Sequence, residues 1–145
     1  MAVSVKPITL WRREVENEPG MLAETLEPLA RSDADLQVVM GYRLPGHESR
    51  AAIEVYPVRG KKAEAGAREG GLSASSIPTL LVEGDNRQGL GASISRTLAD
   101  ADINLAFLVT QVFGRRYSAI LGFEREADAK KAATLIKKTK VSRSR

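Results

Sequence analysis

Apolar residues follow two kinds of spacing along this chain, and the two kinds occur in the same order in both halves. Alternating or continuous apolar stretches are typical of strands, and recurrence every three or four residues is typical of helices. Each half therefore predicts the order β-α-β-β-α. The pattern places strands over residues 8–15, 36–43, 51–56, 79–83, 103–113 and 117–123, and helices from residue 20 and over 60–69, 89–101 and 127–139.

The two halves are copies of one another. Residues 14–20 return 69 residues later as 83–89, with no gap through the helix that follows. Such self-similarity at a fixed offset indicates an internal duplication, with repeats over 1–72 and 73–145. Identical pairs at this offset are Gly20 and Gly89, Ala23 and Ala92, Leu29 and Leu98, Ala30 and Ala99, Asp33 and Asp102, and Leu36 and Leu105.

The offset changes after the first hairpin. Ala52 and Ile53 align with Ala119 and Ile120 at an offset of 67, which predicts a hairpin loop two residues longer in the first copy. An insertion of this kind is best tolerated in a surface loop.

The helices should each bury one apolar face. Pro28 lies inside the first helix, where its missing amide donor predicts a kink or a break. Inward positions are predicted at Leu22, Leu26 and Leu29, at Leu90, Ile94 and Leu98, and at Ala129, Ala132, Ala133 and Ile136.

Each copy lacks a fourth strand, which would leave its first strand as an unpaired sheet edge. Residues 72–76 can fill that place in the first copy, and residues 3–6 can fill it in the second. The N-terminus would then complete the C-terminal half.

Composition and charge limit the partners and the cellular location that we expect for this protein. The formal charge is +4, but residues 137–145 form a basic tail, and the rest of the chain carries 17 basic and 18 acidic residues. The body is thus nearly neutral, so we expect no nucleic-acid partner. The chain has no Cys, no signal-peptide pattern and no run of 18 apolar residues, so we expect a cytoplasmic protein without a membrane partner.

These residues resemble the ACT domain. The resemblance rests on residues 16–22 and 85–90, each followed by a helix and then by Asp33-Ala-Asp-Leu or Asp102-Ile-Asn-Leu. It covers nearly the whole chain. It implies an α+β fold of two ferredoxin-like βαββαβ repeats, with antiparallel sheets and helices on one face. ACT domains bind small ligands, and they commonly pair into a continuous sheet with an amino acid at the seam.

The resemblance also implies site residues. Asn86 and Asn104 fall on two ligand-binding Asn residues of serine-regulated phosphoglycerate dehydrogenases, whereas Gly84 replaces the accompanying histidine. In the first copy Asn17 is kept, Asp35 replaces the second Asn and Val15 replaces the histidine, so we expect a weaker or differently tuned first site. The full predicted ligand-binding set is Asp85, Asn86, Gln88, Gly89, Leu90, Gly91, Asn104, Asn17, Gly20, Met21 and Leu22.

Other interpretations of these residues stay open at this point. Asp and Asn before a helix are ordinary caps and turn formers, and Gly89-Leu90-Gly91 is a near miss to a dinucleotide fingerprint. The chain shows no nucleophile with a neighbouring base and no pair of metal-ligating histidines, so we expect neither an enzyme nor a cofactor.

The sequence therefore predicts a regulatory sensor that binds an amino acid or a similar zwitterion at its strand-to-helix turns, as a homodimer. The alternative is a regulatory subunit of a metabolic enzyme, because residues 15–20 also resemble the start of acetolactate synthase small subunits.

Overall fold

The chain folds into two compact units. In a computed structural model that describes residues 3–139, residues 9–76 form the first unit, and residues 3–8 join residues 77–139 in the second unit. The repeat bounds of 1–72 and 73–145 stay a prediction about the duplicated sequence. Residues 140–145 of the basic tail lie outside the described residues. None of the helices in residues 3–139 is long and apolar enough to cross a membrane.

Eight strands and four helices make up the described chain. The strands are β1 (Ser4–Ile8), β2 (Trp11–Glu16), β3 (Val38–Leu44), β4 (His47–Tyr56), β5 (Ser73–Ala74), β6 (Thr79–Asp85), β7 (Leu105–Phe113) and β8 (Arg116–Phe123). The helices are α1 (Met21–Arg31), α2 (Gly60–Glu69), α3 (Leu90–Asp100) and α4 (Glu126–Lys137).

Each unit contains a four-stranded antiparallel sheet. The strand order is β3-β4-β2-β5 in the first unit and β7-β8-β6-β1 in the second, which is one topology used twice. Both predicted fourth strands are present: Ala74 of β5 lies opposite Trp11, and Ser4 of β1 lies opposite Glu83. The N-terminal strand therefore completes the sheet of the C-terminal half, as predicted.

Each sheet buries one face beneath its two helices. The inward positions predicted on α3 and α4 are confirmed, since Leu90, Ile94, Leu98, Ala129, Ala132 and Ile136 are buried and Ala133 packs against them. The core of the first unit consists of Trp11, Val15, Leu29, Ile53, Val55, Ala67 and Leu72.

The duplication extends to the backbone conformation. Gly20 and Gly89 precede α1 and α3 with φ of 93° and 85°, and neither helix start has a side-chain cap. A left-handed conformation is favourable only for a residue without Cβ. Asp33 and Asp102, which follow the same two helices, both have φ of 58°.

Helix α1 differs from its prediction in two ways. Leu22 is 46% exposed, and the buried positions are Thr25, Pro28 and Leu29. Thr25 can be buried because its hydroxyl donates to the Met21 carbonyl at 2.8 Å. The predicted break is wrong, since the helix continues through Pro28 to Arg31. The apolar proline ring is buried, which offsets the missing amide donor.

The predicted longer hairpin loop is also wrong. Both hairpins turn through two residues, 45–46 and 114–115. The extra residues lie within β4, where Arg43 pairs with Ala51 but Leu44 pairs with His47, so that residues 48–50 have no partner on β3. The insertion is therefore a bulge of three residues.

The bulge changes which residues of the two copies are equivalent. Ile53 faces the core of the first unit. In the second unit Ala119 faces the core, and Ile120, although only 5% exposed, lies on the opposite face of the sheet. Successive strand residues point to opposite faces, so the true offset beyond the bulge must be even. An offset of 66 pairs Arg59 with Arg125, the residues before α2 and α4, and pairs buried Ala63 with buried Ala129. Ala51 is then equivalent to Tyr117.

We expect deletion of residues 1–6 to destabilise the second unit. The deletion removes Val5, which is 8% exposed, and uncovers the edge of β6. Thermal unfolding should show a lower midpoint, and light scattering should show self-association.

A milder pair of variants checks the same contact. Val5→Ala should lower the free energy of unfolding by about 1–3 kcal/mol through lost burial, and the exposed neighbour Ser4→Ala should leave it nearly unchanged. An unchanged midpoint and mass in the truncated protein would contradict the role of β1.

Candidate functional site

A cavity of about 350 Å³ opens at the first strand-to-helix turn, within the first unit. It lies between the end of β2, the start of α1 and the neighbouring strands β3 and β4. Its size falls within the range of about 300–1,000 Å³ that is usual for small-molecule sites. The lining residues are Val15, Glu16, Asn17, Glu18, Met21, Leu22, Gly41, Tyr42, Arg43, Ala51, Ala52 and Ile53.

Two small residues keep this cavity open. Gly41 pairs with Ile53, and Arg43 pairs with Ala51, across β3 and β4. A Cβ built on Gly41 would meet no atom within 4 Å, so the space above β3 is empty. The methyl group of Ala51 is too short to reach the start of α1.

The equivalent place in the second unit is filled. The matching cross-strand pair is Val112 with Tyr117. Tyr117 is 5% exposed and packs in the core with Leu90. Its hydroxyl oxygen lies 3.8 Å from where a Cβ on Gly91 would stand, directly below the start of α3. The tyrosine ring therefore occupies the volume that stays open beside Ala51.

The charges around the cavity are partly unpaired. Glu16 receives a salt bridge from Arg50, with Nη1 and Oε1 2.8 Å apart. Within residues 3–139, Arg43 and Glu18 have no ion-pair partner, and both are exposed. The site thus offers one free cation and one free anion to a ligand.

The start of α1 adds backbone donors. The Met21 amide donates to the Glu18 carbonyl at 3.4 Å and the Glu24 amide donates to the Gly20 carbonyl at 2.9 Å. In the described chain no acceptor faces the amides of Leu22 and Ala23, and the helix has no side-chain cap. Unpaired amides at the positive end of the helix dipole favour an anionic group.

Asn17 holds the bulge in place. Its backbone amide donates to the Ser49 carbonyl at 2.8 Å, and its side chain donates to the Glu48 carbonyl at 3.3 Å. Asn17 therefore lines the cavity and also fixes the bulge of β4 beside it. Asn86 makes the equivalent backbone bond to the Arg115 carbonyl at 2.7 Å, and its side chain makes no hydrogen bond to the described residues.

The structure gathers most, but not all, of the residues predicted at the second turn. Asp85, Asn86, Gln88, Gly89, Leu90 and Gly91 all lie within the turn from the end of β6 to the start of α3. Asp85 is engaged by Arg116, with Oδ1 and Nη1 3.0 Å apart. Gly84 does not face open space, because a Cβ there would stand 3.1 Å from the Val3 side chain.

Asn104 lies away from this turn. It precedes Leu105, which pairs with Phe123, whereas Asp85 pairs with Arg116 at the other end of β8. Its side chain donates to Glu124 Oε1 at 3.4 Å. Within one unit, Asn86 and Asn104 thus do not meet at one ligand. The pair stays a prediction that requires a second module to bring the two residues together.

A polar cluster around the buried Glu54 adjoins the cavity. The Tyr42 hydroxyl donates to Glu54 Oε2 at 2.8 Å, and Glu54 is fully buried. Burial, and then the hydrogen bond to Glu54, raise the pKa of Tyr42 above its ordinary value, so its hydroxyl remains a donor at neutral pH. Glu54 Oε1 lies 3.8 Å from Arg12 Nε, and neither atom has a hydrogen-bond partner in the described chain.

Sequence reasoning missed Gly41, Tyr42, Arg43 and Ala51. The alternation of strand faces could have revealed the correct register, because an offset of 67 aligns Ile53 with Ile120 although the two residues lie on opposite faces of their sheets.

No group of three His, Asp or Glu side chains in residues 3–139 could hold a metal ion.

No known protein family and no curated protein matches the chain. Several solved structures do. Protein BT0572 from Bacteroides thetaiotaomicron is 12% identical with a TM-score of 0.73, over 90% of this chain and 88% of that one. Aspartokinase α and β subunits give 16% identity and a TM-score of 0.61, over 95% and 96%. The ligand-free regulatory subunit of aspartate kinase from Thermus thermophilus gives 17% and 0.57, over 94% and 97%.

These likenesses establish the fold. The chain has an ACT-like α+β architecture of two ferredoxin-like repeats, and the predicted fold class is confirmed. At identities this low the comparisons carry no site residue across.

We expect Tyr42→Phe to destabilise the protein by about 1–3 kcal/mol, because a buried carboxylate oxygen of Glu54 loses its donor. The matched control is Tyr117→Phe. The Tyr117 hydroxyl makes no hydrogen bond to the described residues, so its loss should change the free energy of unfolding less. Denaturant titration of both variants measures the difference, and equal losses would rule out a structural role for the Tyr42 bond.

Proposed function

We propose that this protein is a regulatory, non-enzymatic module that binds an amino acid in the cavity at its first strand-to-helix turn. The observation that carries the proposal is the contrast between the two copies. Ala51 leaves the volume beside α1 open, whereas Tyr117 fills the same place beside α3. An otherwise duplicated structure keeps one site open and closes the other.

The chemistry of the open site supports a zwitterion. The guanidinium of Arg43 and the free amides at the start of α1 suit a carboxylate. The carboxylate of Glu18 suits an ammonium group. Charge-assisted hydrogen bonds contribute about 1.5–3 kcal/mol each, and two or three of them, less the cost of immobilising the ligand, give micromolar to millimolar affinity.

The fold supports a regulatory role. Two of the structurally similar proteins are aspartokinase and a regulatory subunit of aspartate kinase. By analogy with these proteins, we propose that a metabolic enzyme is the target of regulation. Co-purification of a large catalytic chain would favour a dedicated regulatory subunit, and ligand-dependent change in a lone assembly would favour a free-standing sensor.

We further propose a homodimer that forms along β7. This strand is the edge of its sheet and has nine residues with no charge and no proline. Exposed apolar side chains stand on both of its faces, with the neighbouring residues Leu108 and Val109 45% and 44% exposed. The other edge strands are less suited to pairing with a copy, since β1 contains Lys6 and Pro7, β3 contains Arg43 and β5 has two residues. An uncharged strand can pair with its own copy without like-charge repulsion, which favours a second copy as the partner.

Ligand binding should be lost when the first cavity is filled as the second is. We expect a thermal-shift screen to find an amino acid that stabilises the protein by about 2.7 kcal/mol at 100 times its Kd, and Ala51→Tyr to abolish that shift. Arg43→Gln should weaken calorimetric affinity by about tenfold or more. The control Arg96→Gln removes the same charge from the exposed face of α3 and should bind as wild type.

Two further variants separate this site from the second turn. Asn86→Ala and Asn104→Ala should each weaken binding by about 1–3 kcal/mol if the turn of α3 holds the ligand. If Ala51→Tyr binds normally and these two variants do not, the proposed site is wrong and the second turn is the ligand site.

The dimer is tested with a matched pair of edge-strand variants. Val109 on β7 and Val39 on β3 are 44% and 45% exposed. Light scattering should report about twice the chain mass of 15.7 kDa for the wild type and for Val39→Lys, and one chain mass for Val109→Lys. A wild-type monomer at micromolar concentration would contradict the dimer.

A further inference from the structure

The charge balance of the first-turn cavity limits which amino acid it can take. Three charged side chains line it: Glu16, Glu18 and Arg43. Glu16 is neutralised by Arg50 at 2.8 Å. One free negative charge and one free positive charge remain, which match the two charged groups of an amino-acid backbone and leave nothing to balance a charged side chain.

The floor of the cavity is apolar. Val15 and Ile53 are 4% and 3% exposed and belong to the core of the first unit, and Met21 packs against that core. Asn17, which also lines the cavity, uses its side chain on the Glu48 carbonyl. The described residues thus place aliphatic surface beneath the two charges.

Polar ligand groups would lose their hydration over this floor. A polar group moved from water to an apolar surface without a partner is strongly disfavoured, and an ionised one more so. A hydrocarbon side chain instead gains roughly 25 cal/mol for each Å² that it buries. The volume of about 350 Å³ is at the small end for ligand sites.

We infer that the ligand is a neutral amino acid with an aliphatic side chain, such as valine, leucine or methionine; this inference rests on the proposed amino-acid binding. Its carboxylate bonds to Arg43, its ammonium group pairs with Glu18, and its side chain covers Val15 and Ile53. Acidic and basic amino acids leave one charge unmatched in the site and are rejected for that reason.

Calorimetric titration of the intact protein tests the class directly. Valine, leucine and methionine should bind at least about tenfold more tightly than aspartate or lysine. A charge deletion in the ligand tests the orientation. The compound 4-methylpentanoate, which is leucine with hydrogen in place of the α-ammonium group, should bind more weakly than leucine to the wild type.

Glu18→Gln completes the test. It should weaken leucine by about tenfold or more, because only leucine carries the ammonium group that Glu18 contacts. It should strengthen 4-methylpentanoate, because the variant no longer leaves a negative charge unmatched beside an anionic ligand. The control Glu27→Gln removes an exposed carboxylate of α1 outside the cavity and should leave both affinities unchanged.

The failures are distinguishable. Tighter binding of aspartate or lysine that Ala51→Tyr abolishes would overturn the aliphatic class and leave the proposed function standing. Equal loss of leucine and 4-methylpentanoate in Glu18→Gln would overturn the orientation. Binding of no amino acid at all would overturn the proposed function and this inference with it.

Discussion

The pairing of β3 with β4 is the constraint on which the candidate site depends. A bulge of three residues separates the pair Leu44–His47 from the pair Arg43–Ala51, and beyond it the register is regular. Because the pleat alternates, this register alone decides that Ala51 faces the helices and lies beside the start of α1. Asn17 fastens the bulge to the end of β2 through Glu48 and Ser49. The insertion, the turn that both copies share and the cavity are thus parts of one local arrangement.

The duplication gives the same scaffold two chemical outcomes. Both copies start a helix from a left-handed glycine, and both leave the next amides without side-chain caps. In the first unit the cross-strand pair beside those amides is Arg43 and Ala51, which provides a charge and an empty volume. In the second it is Val112 and Tyr117, which provides an apolar edge and a filled core. Tyr117 therefore fills the core of its unit and leaves no cavity, whereas Ala51 leaves a cavity and fills less of the core.

Much of the fold followed from the sequence, because it rests on local and periodic signals. The repeated glycine turns, the buried faces of α3 and α4 and the need for a fourth strand in each sheet all follow from periodicity and edge pairing. The errors arose where tertiary packing decides. Leu22 lies at the mouth of the cavity, Pro28 is held by burial, and the extra residues are accommodated inside β4 rather than in the turn. The site residues Gly41, Arg43 and Ala51 belong to no recognisable sequence motif, because only the register of β3 and β4 brings them together.

The most direct test of ligand binding in the first-turn cavity is an amide chemical-shift titration of the intact protein with leucine. Binding in this cavity should give dose-dependent shifts centred on Leu22, Gly41 and Arg43, and unchanged amides at their counterparts Gly91, Thr110 and Val112. Shifts confined to the second set would contradict it, because they would place the ligand where Tyr117 now fills the core.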